Sequence, residues 1–199
     1  MKKTIKAVAL GLSLFFATVS VCYSQDFDTG LDAFFSGDYA TALREWRPLA
    51  EQGDSVAQFF LGVMYDDGQG VTQDDKEAVK WYGLAAAQGY ANAQHNLGLM
   101  YANGEGVIQD YKEAVRLYGL AAAQGNANAQ HNLGVMHNYG MGVIQDNVYA
   151  HMWFNIAASS GIEEAVKGRD ILAGKMTASQ LEKAQELARE CVKKEYKGC

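Results

Sequence analysis

The chain contains a segment of 36 residues that is repeated in tandem. The copy from Tyr90 to Gly125 reads YANAQHNLGLMYANGEGVIQDYKEAVRLYGLAAAQG, and the copy before it is identical at 23 of 36 positions. A third copy follows directly. A period of roughly 20 to 50 residues is typical of solenoids, in which each unit buries its apolar side by stacking on its neighbours. The chain is therefore expected to fold as a repeat array.

Each repeat carries two runs of apolar residues at helical spacing. In the copy from Tyr90, the first run contains Ala93, Leu97 and Met100, and the second contains Tyr118. A glycine follows the second run in every unit, where a left-handed backbone lets the chain reverse. These glycines are Gly53, Gly89, Gly125 and Gly161. The pattern predicts an all-α solenoid of tandem helical hairpins.

Two helix starts carry an acidic residue followed three positions later by glutamate. They are Asp74 with Glu77, and Asp110 with Glu113. We interpret both as capping boxes, in which the two side chains satisfy backbone N–H groups left open at the helix N-terminus.

The repeat boundaries divide the chain into four parts. Residues 1–24 are expected to be a signal peptide, 25–53 two N-terminal capping helices, 54–161 three full repeats, and 162–199 a partial fourth unit with a C-terminal capping helix. In the fourth unit Arg169 and Asp170 replace a Leu-Gly pair, so close packing between neighbours is expected to stop there. Thr177 and Gln180 predict a capping box for the last helix.

The N-terminal segment has the pattern of an export signal. Lys2, Lys3 and Lys6 precede an apolar run from Ala7 to Val21, and cleavage is expected after Ser24. The apolar run is short for a membrane span, although an uncleaved anchor is the alternative. The sequence thus predicts a periplasmic or secreted protein without stable membrane insertion after cleavage.

The charge balance argues against a nucleic-acid partner. The full chain has a formal charge of −6, and residues 1–24 contain three lysines and no acidic residue, so the rest carries −9. Nucleic acids and anionic membrane surfaces need clustered cations, and no run of Lys or Arg is present. Nucleic acid and an anionic membrane surface are therefore poor candidates for the partner.

Two cysteines, Cys191 and Cys199, follow the signal segment. Eight positions apart on a straight helix they would be about 12 Å distant, which is too far for a disulfide. Pairing requires the tail to turn back at Gly198. The sequence therefore leaves open whether the two cysteines form a disulfide or remain free thiols.

The motif from Ala91 to Gly125 closely resembles the Sel-one-like repeat, a relative of the tetratricopeptide repeat. The resemblance covers about Gly37 to Arg169. It implies a right-handed αα-superhelix that serves as a scaffold for protein–protein interaction, and in bacteria often an exported adaptor. It also implies that the first helices line the concave groove.

Polar residues repeat along those first helices and are the candidate partner-binding set. They are Asn92, His95, Asn96, Asn128, His131 and Asn132. The alternative is structural, because such asparagines can also join adjacent repeats. We interpret all four histidines as surface or groove residues.

Neither a metal nor another cofactor is expected. The histidines lack familiar ligand spacing, and the acidic runs do not follow a calcium-binding pattern. No catalytic constellation is present, so a non-enzymatic scaffold is the leading hypothesis. The alternative, a hydrolase of cell-wall or β-lactam substrates, rests on analogy to cysteine-rich relatives, and the S-x-x-K motif of penicillin-recognising enzymes is missing.

Overall fold

The computed structural model describes residues 27–199, and these residues form ten α-helices and no β-strand. The predicted signal peptide, residues 1–24, lies outside them. Helix α1 covers residues 27–36. The helices that follow are α2 (Tyr39–Glu51), α3 (Ser55–Asp67), α4 (Asp75–Ala87), α5 (Ala91–Asn103), α6 (Tyr111–Ala122), α7 (Ala127–Tyr139), α8 (Asn147–Ser159), α9 (Glu163–Ala173) and α10 (Ala178–Lys193).

The helices pack in chain order. Within the three repeats α3 packs against α4, α5 against α6 and α7 against α8, and each repeat contacts the next through α4 with α5 and α6 with α7. Helix α10 turns back and packs on α8. The predicted all-α solenoid of tandem hairpins is confirmed.

Small residues at equivalent positions let the helices approach closely. Ala42, Ala78, Ala114 and Ala150 each lie near the start of a second helix and are fully buried. Aromatic rings fill the space around them, as expected for core residues of a solenoid. The buried rings of the three repeats are those of Trp81, Tyr82, Tyr118, Trp153 and Phe154.

A glycine in each first helix faces one of these rings. A Cβ atom on Gly98 would lie 2.7 Å from Cε1 of Tyr118, and Gly134 faces Phe154 in the same way. Any side chain here would have to displace a buried ring. This contact explains why the repeat requires glycine after leucine in the first helix.

The second glycine of each hairpin connector contacts the preceding repeat. Gly106 has a φ of 67°, and a Cβ atom there would collide with the backbone carbonyl of Asp75. Gly142 approaches the carbonyl of Tyr111 in the same manner. The longer connector therefore contributes to stacking between repeats as well as to the turn.

A buried glutamine joins each repeat to the one before it. The Nε2 atoms of Gln58, Gln94 and Gln130 donate to backbone carbonyls of the preceding helix at 3.0, 3.2 and 3.2 Å. Those carbonyls, of Ala50, Ala86 and Ala122, lie at or next to the ends of their helices, where intrahelical donors run out. The glutamines therefore act as caps supplied from the next repeat.

The predicted capping boxes at α4 and α6 are only half formed. Asp74 accepts from the backbone N–H groups of Lys76 and Glu77, as an N-cap residue does. The Glu77 carboxylate instead bonds Lys80 at 2.9 Å, and Glu113 bonds Arg116 in the same way. The reciprocal half of the prediction is wrong because the backbone N–H groups of Asp74 and Asp110 donate to the carbonyls of Tyr65 and Tyr101, and a cation one turn away binds each glutamate. At α10, the box of Thr177 and Gln180 is complete.

Packing does not stop in the fourth unit, contrary to the expectation from Arg169 and Asp170. Helix α9 packs against α8, and a Cβ atom on Gly168 would lie 3.0 Å from the Phe154 ring. Gly168 thus approaches the ring closely from the side of the following helix. The helix ends at Ala173, two residues earlier than its equivalents.

The C-terminal tail folds back on the solenoid. Cys191 and Cys199 form a disulfide with Cα atoms 5.5 Å apart, and Gly198 has a φ of 71°. Tyr196 packs onto the core cluster and lies against Gly125 at a repeat boundary. Among residues 27–199 no helix is long and apolar enough to cross a membrane.

Candidate functional site

Twelve side chains at equivalent positions of the first helices form a surface that we call the first-helix face. They occupy the fifth, ninth and thirteenth positions counted from the starts of α3, α5, α7 and α9. Residues four apart lie on the same side of a helix, so the three positions share one face. Equivalent residues of successive units form a row along the solenoid. The first row is Phe59, His95, His131 and Lys167, the middle row is Val63, Leu99, Val135 and Ile171, and the last row is Asp67, Asn103, Tyr139 and Lys175.

The middle row is aliphatic in all four units and stays accessible. Leu99 is 36% exposed and Ile171 is 60% exposed, whereas Val63 and Val135 are partly buried. The residues around the row are mixed in character. An aliphatic row that is flanked mainly by polar residues and is accessible at Leu99 and Ile171 is the arrangement expected of a protein-binding surface.

Asn96 and Asn132 contact buried tyrosines across repeat boundaries. The Asn96 side chain lies beside the hydroxyl of Tyr82, and the Asn132 side chain lies beside that of Tyr118. Burial raises the pKa of both phenols. The Tyr82 hydroxyl donates to Oδ2 of Asp66 at 3.2 Å. These contacts match the structural alternative for the asparagines, because their amide groups lie against core hydroxyls of the preceding repeat.

The ring at the position of Tyr82 and Tyr118 and the residue at the position of Asn96 and Asn132 change together from unit to unit. Where the ring is Phe154, which has no hydroxyl, the asparagine position holds Gly168. At the N-terminal end the pair is Trp46 and Phe60, which stack with centroids 4.5 Å apart. A polar partner is therefore present only where the ring carries a hydroxyl.

His95 extends the network to two repeats. Its Nδ1 lies 3.1 Å from Oδ1 of Asn96, and its Nε2 lies 3.2 Å from Nδ2 of Asn132. An amide nitrogen donates, so Nε2 accepts and Nδ1 carries the proton, which makes the ring neutral. Burial lowers the pKa of His95. Three of the predicted binding residues are thus joined in one hydrogen-bonded cluster.

The other asparagines of the predicted set lie apart from this cluster. Asn92 is exposed and accepts from Nδ2 of Asn126 at 3.0 Å, which again joins one repeat to the next. Asn128 is exposed as well. Their role in partner binding stays a prediction.

His131 lies in a pocket between α7 and α9, which we call the α7–α9 pocket. The pocket has a volume of about 470 Å³. It is lined by both helices, including His131, Val135 and Tyr139 on α7 and Lys167, Ile171 and Lys175 on or just after α9. The last two units of the first-helix face therefore border a real cavity, which sequence reasoning missed.

The His131 ring packs on the floor of this pocket. It lies 5.4 Å from the Phe154 ring between centroids, and burial lowers its pKa while the Glu164 carboxylate opposes the shift. Its Nδ1 atom is buried and has no hydrogen-bond partner in the described part of the chain.

The interpretation of all four histidines as surface or groove residues is wrong for His151. This side chain is 2% exposed, and its Nδ1 has no partner among the described residues. Equivalent positions in the first two repeats hold Val79 and Val115, so His151 occupies a core site. His137 is partly buried and stacks on Tyr149 with centroids 5.4 Å apart.

The described histidines, cysteines and acidic residues do not form a metal-binding group. Within residues 27–199 no three such side chains are placed to hold one ion. Cys191 and Cys199 are bonded to each other.

The three repeats match a known family of repeat proteins. The Sel1 repeat model matches residues 55–90, 91–126 and 127–162, which is more than half of the chain. The chain belongs to the Sel1 repeat family. Each match begins one residue after the corresponding 36-residue copy in the sequence. Sel1 repeats are scaffolds for protein–protein interaction rather than catalytic domains.

Two solved structures share the architecture. A protective antigen of uropathogenic Escherichia coli strains with an SLR fold superposes with a TM-score of 0.62 at 30% identity, covering 87% of this chain and 46% of its own. A Sel1 repeat protein from Oxalobacter formigenes gives a TM-score of 0.59 at 40% identity, covering 65% of this chain and 97% of its own.

One curated relative matches part of the chain. An exopolysaccharide production negative regulator of Rhizobium leguminosarum bv. viciae is 42% identical over 60 residues, which is 30% of this chain. The match spans 22% of that regulator, so the chain corresponds to less than a quarter of its length.

Proposed function

We propose that this chain is an exported Sel1 repeat scaffold that binds a segment of another protein along its first-helix face. The observation that carries the proposal is the aliphatic middle row, which continues through four units and stays accessible at Leu99 and Ile171. A surface with this pattern offers a partner apolar contact at regular intervals. Polar residues on either side give the contact its specificity.

Hydrogen bonds join the residues beside this row. His95 bonds both Asn96 and Asn132, and the two asparagines lie against buried tyrosines. Little ordering of the groove would accompany binding, so less of the contact free energy is lost. In this account the asparagines organise the surface, and the aliphatic row with its flanking residues contacts the partner.

Site-specific photo-crosslinking tests the proposal. A photoreactive amino acid replaces Leu99 on the first-helix face, and a matched variant carries it at Leu120, which is 43% exposed on a second helix. We expect Leu99 to give a discrete crosslinked product in intact cells and Leu120 to give none. Equal products at both positions, or none at Leu99, would refute binding at this face.

The export part of the proposal is supported by the N-terminal pattern and the cysteine pair. Disulfides persist in oxidising compartments such as the bacterial periplasm. The similarity to a regulator of exopolysaccharide production fits a role at the cell envelope. Intact mass of the protein recovered from cell fractions tests export. The expected product begins at Gln25 in the periplasm or the medium, and full-length protein confined to the cytoplasm would contradict it.

A further inference from the structure

The α7–α9 pocket carries two parallel stripes of three residues. His131, Val135 and Tyr139 on α7 face their equivalents 36 residues later, and all six line the same cavity. Of these, Tyr139 is 69% exposed. Tyr139 and the exposed Ile171 border the same pocket, so they form an apolar patch rather than a single exposed residue.

The floor of the pocket is apolar apart from the His131 ring. Phe154 and Leu172 lie beneath it and are almost fully buried, and Ile171 stands on its edge with 60% exposure. The volume of about 470 Å³ is large enough to admit one or two side chains of a partner. The floor therefore selects an aliphatic or aromatic residue.

The rim is positively charged, although the chain as a whole carries −6. Lys167 and Lys175 are both exposed, and neither takes part in an ion pair within residues 27–199. Glu164 contributes one negative charge to the lining. Two unpaired lysines that flank an exposed isoleucine leave the rim with a net positive charge.

The last row carries the opposite charge at the other end of the solenoid. The last row changes from Asp67 through Asn103 and Tyr139 to Lys175, while the middle row stays aliphatic. The first-helix face is thus uniform in its apolar contacts and polarised in its charge. Such polarity gives a bound chain a preferred direction, because opposite charges attract and like charges repel.

We propose that the α7–α9 pocket binds an acidic protein segment, with one aliphatic or aromatic side chain inserted between carboxylates that contact Lys167 and Lys175. The inference rests on the proposed function and adds the chemistry and direction of the partner. The acidic end of the segment lies over α9, and the rest runs along the middle row toward α3. Two lysines are too few for nucleic acid, whose binding requires many cations.

A peptide-display selection on the purified chain tests this assignment. A random peptide library is selected on the wild-type protein, and the enriched peptides are measured by fluorescence anisotropy. The variants are K167E/K175E, Leu99→Asp on the middle row, and a pair matched to the first, K76E/K112E. This pair makes the same charge change at exposed sites in the first turns of α4 and α6. Circular dichroism checks that each variant is folded.

The expected result is a set of acidic peptides that contain aliphatic or aromatic residues. Binding to K167E/K175E should be at least about tenfold weaker and binding to K76E/K112E unchanged, and raised salt should weaken wild-type binding. Enriched peptides that lose binding in Leu99→Asp but not in K167E/K175E would overturn this inference and leave the proposed function standing.

Two further outcomes would also overturn it. If no peptide is enriched on the wild-type protein, both the inference and the proposed function fail. If light scattering shows that the wild-type chain self-associates and that K167E/K175E does not, the occupant is the acidic end of a second copy rather than a separate partner.

Discussion

The side chain of Gln124 donates a hydrogen bond of 2.8 Å to Oε1 of Gln94, which lies 30 residues earlier in the chain. Gln88 makes the same bond to Gln58 at 2.8 Å. Both acceptors are the buried glutamines that cap the preceding helix. At each of these two boundaries, one glutamine therefore bonds the end of the preceding helix and accepts a bond from a second glutamine.

The third boundary lacks this second glutamine, and restoring it should stabilise the protein. Ser160 occupies the position equivalent to Gln124, and Oε1 of the buried Gln130 has no partner within residues 27–199. Ser160→Gln should raise the free energy of unfolding by about 1 kcal/mol, since it supplies the missing donor. Urea denaturation measures the change. Ser160→Ala serves as the control, and equal stability of the two variants would contradict the prediction.

The contact between Tyr118 and Asn132 should appear as a coupling energy. Tyr118→Phe and Asn132→Ala each remove this contact, and Asn132→Ala also removes the bond to Nε2 of His95, so each alone should cost about 1 to 3 kcal/mol. The double variant should cost less than the sum by at least about 0.5 kcal/mol. A parallel cycle of Tyr118→Phe with Asn128→Ala, an exposed site, should be additive. Additivity in the first cycle would exclude the contact.

His151 should make the protein sensitive to acid. Burial lowers its pKa below the ordinary value of 6.5, with Arg169 adding to the shift and Asp170 opposing it. The unfolded chain therefore binds the proton more tightly than the folded chain. The stability that neutral His151 contributes is fully present above pH 6.5 and is lost as the pH falls through the folded-state pKa. His151→Val, which introduces the residue of the earlier repeats, should stabilise the protein and reduce this loss.

Unfolding free energies measured at about pH 7 and about pH 5 test the histidine prediction. The pKa values of His95, His131 and His137 are also lowered by burial, so some acid sensitivity should remain in the variant. An identical loss of stability in the variant and the parent would show that His151 does not titrate in this range.

The disulfide between Cys191 and Cys199 should hold the tail on the core. Cys191 is 3% exposed within the core cluster that also contains Tyr196. Cys199→Ser should lower the free energy of unfolding by about 2 kcal/mol, because the open chain gains conformational freedom on unfolding. Mass spectrometry after alkylation without reductant should find neither cysteine alkylated. Alkylation of both cysteines in the native protein would contradict the bond.

The period and the apolar spacing were sufficient to predict the helical hairpins, because both follow from local sequence. The glycines facing rings, such as Gly98, were visible as a recurring pattern, but their partners required three-dimensional packing. The Glu77 prediction failed because an N-cap motif does not reveal the competing Lys80. His151 was misplaced because a histidine in a valine position gives no local sign of burial.

The candidate site was less accessible to sequence reasoning. Recurring asparagines such as Asn132 are equally consistent with recognition and with inter-repeat bonding, and only the position of the Tyr118 hydroxyl separates these roles. The aliphatic middle row was present in the aligned repeats at Val63, Leu99 and Val135. It was overlooked because aliphatic residues at helical spacing also form cores, and their exposure depends on how far neighbouring first helices stand apart.

The most direct test of binding on the first-helix face compares two pairs of aspartate substitutions. One pair, Leu99→Asp and Val135→Asp, lies on the middle row, and the other, Leu84→Asp and Leu120→Asp, lies on second helices with 44% and 43% exposure. Affinity is measured for the protein captured by crosslinking at Leu99, with helicity as the folding check. The account predicts at least about tenfold weaker binding for the first pair and no more than about a twofold change for the second. Equal affinity for the two folded pairs would contradict it.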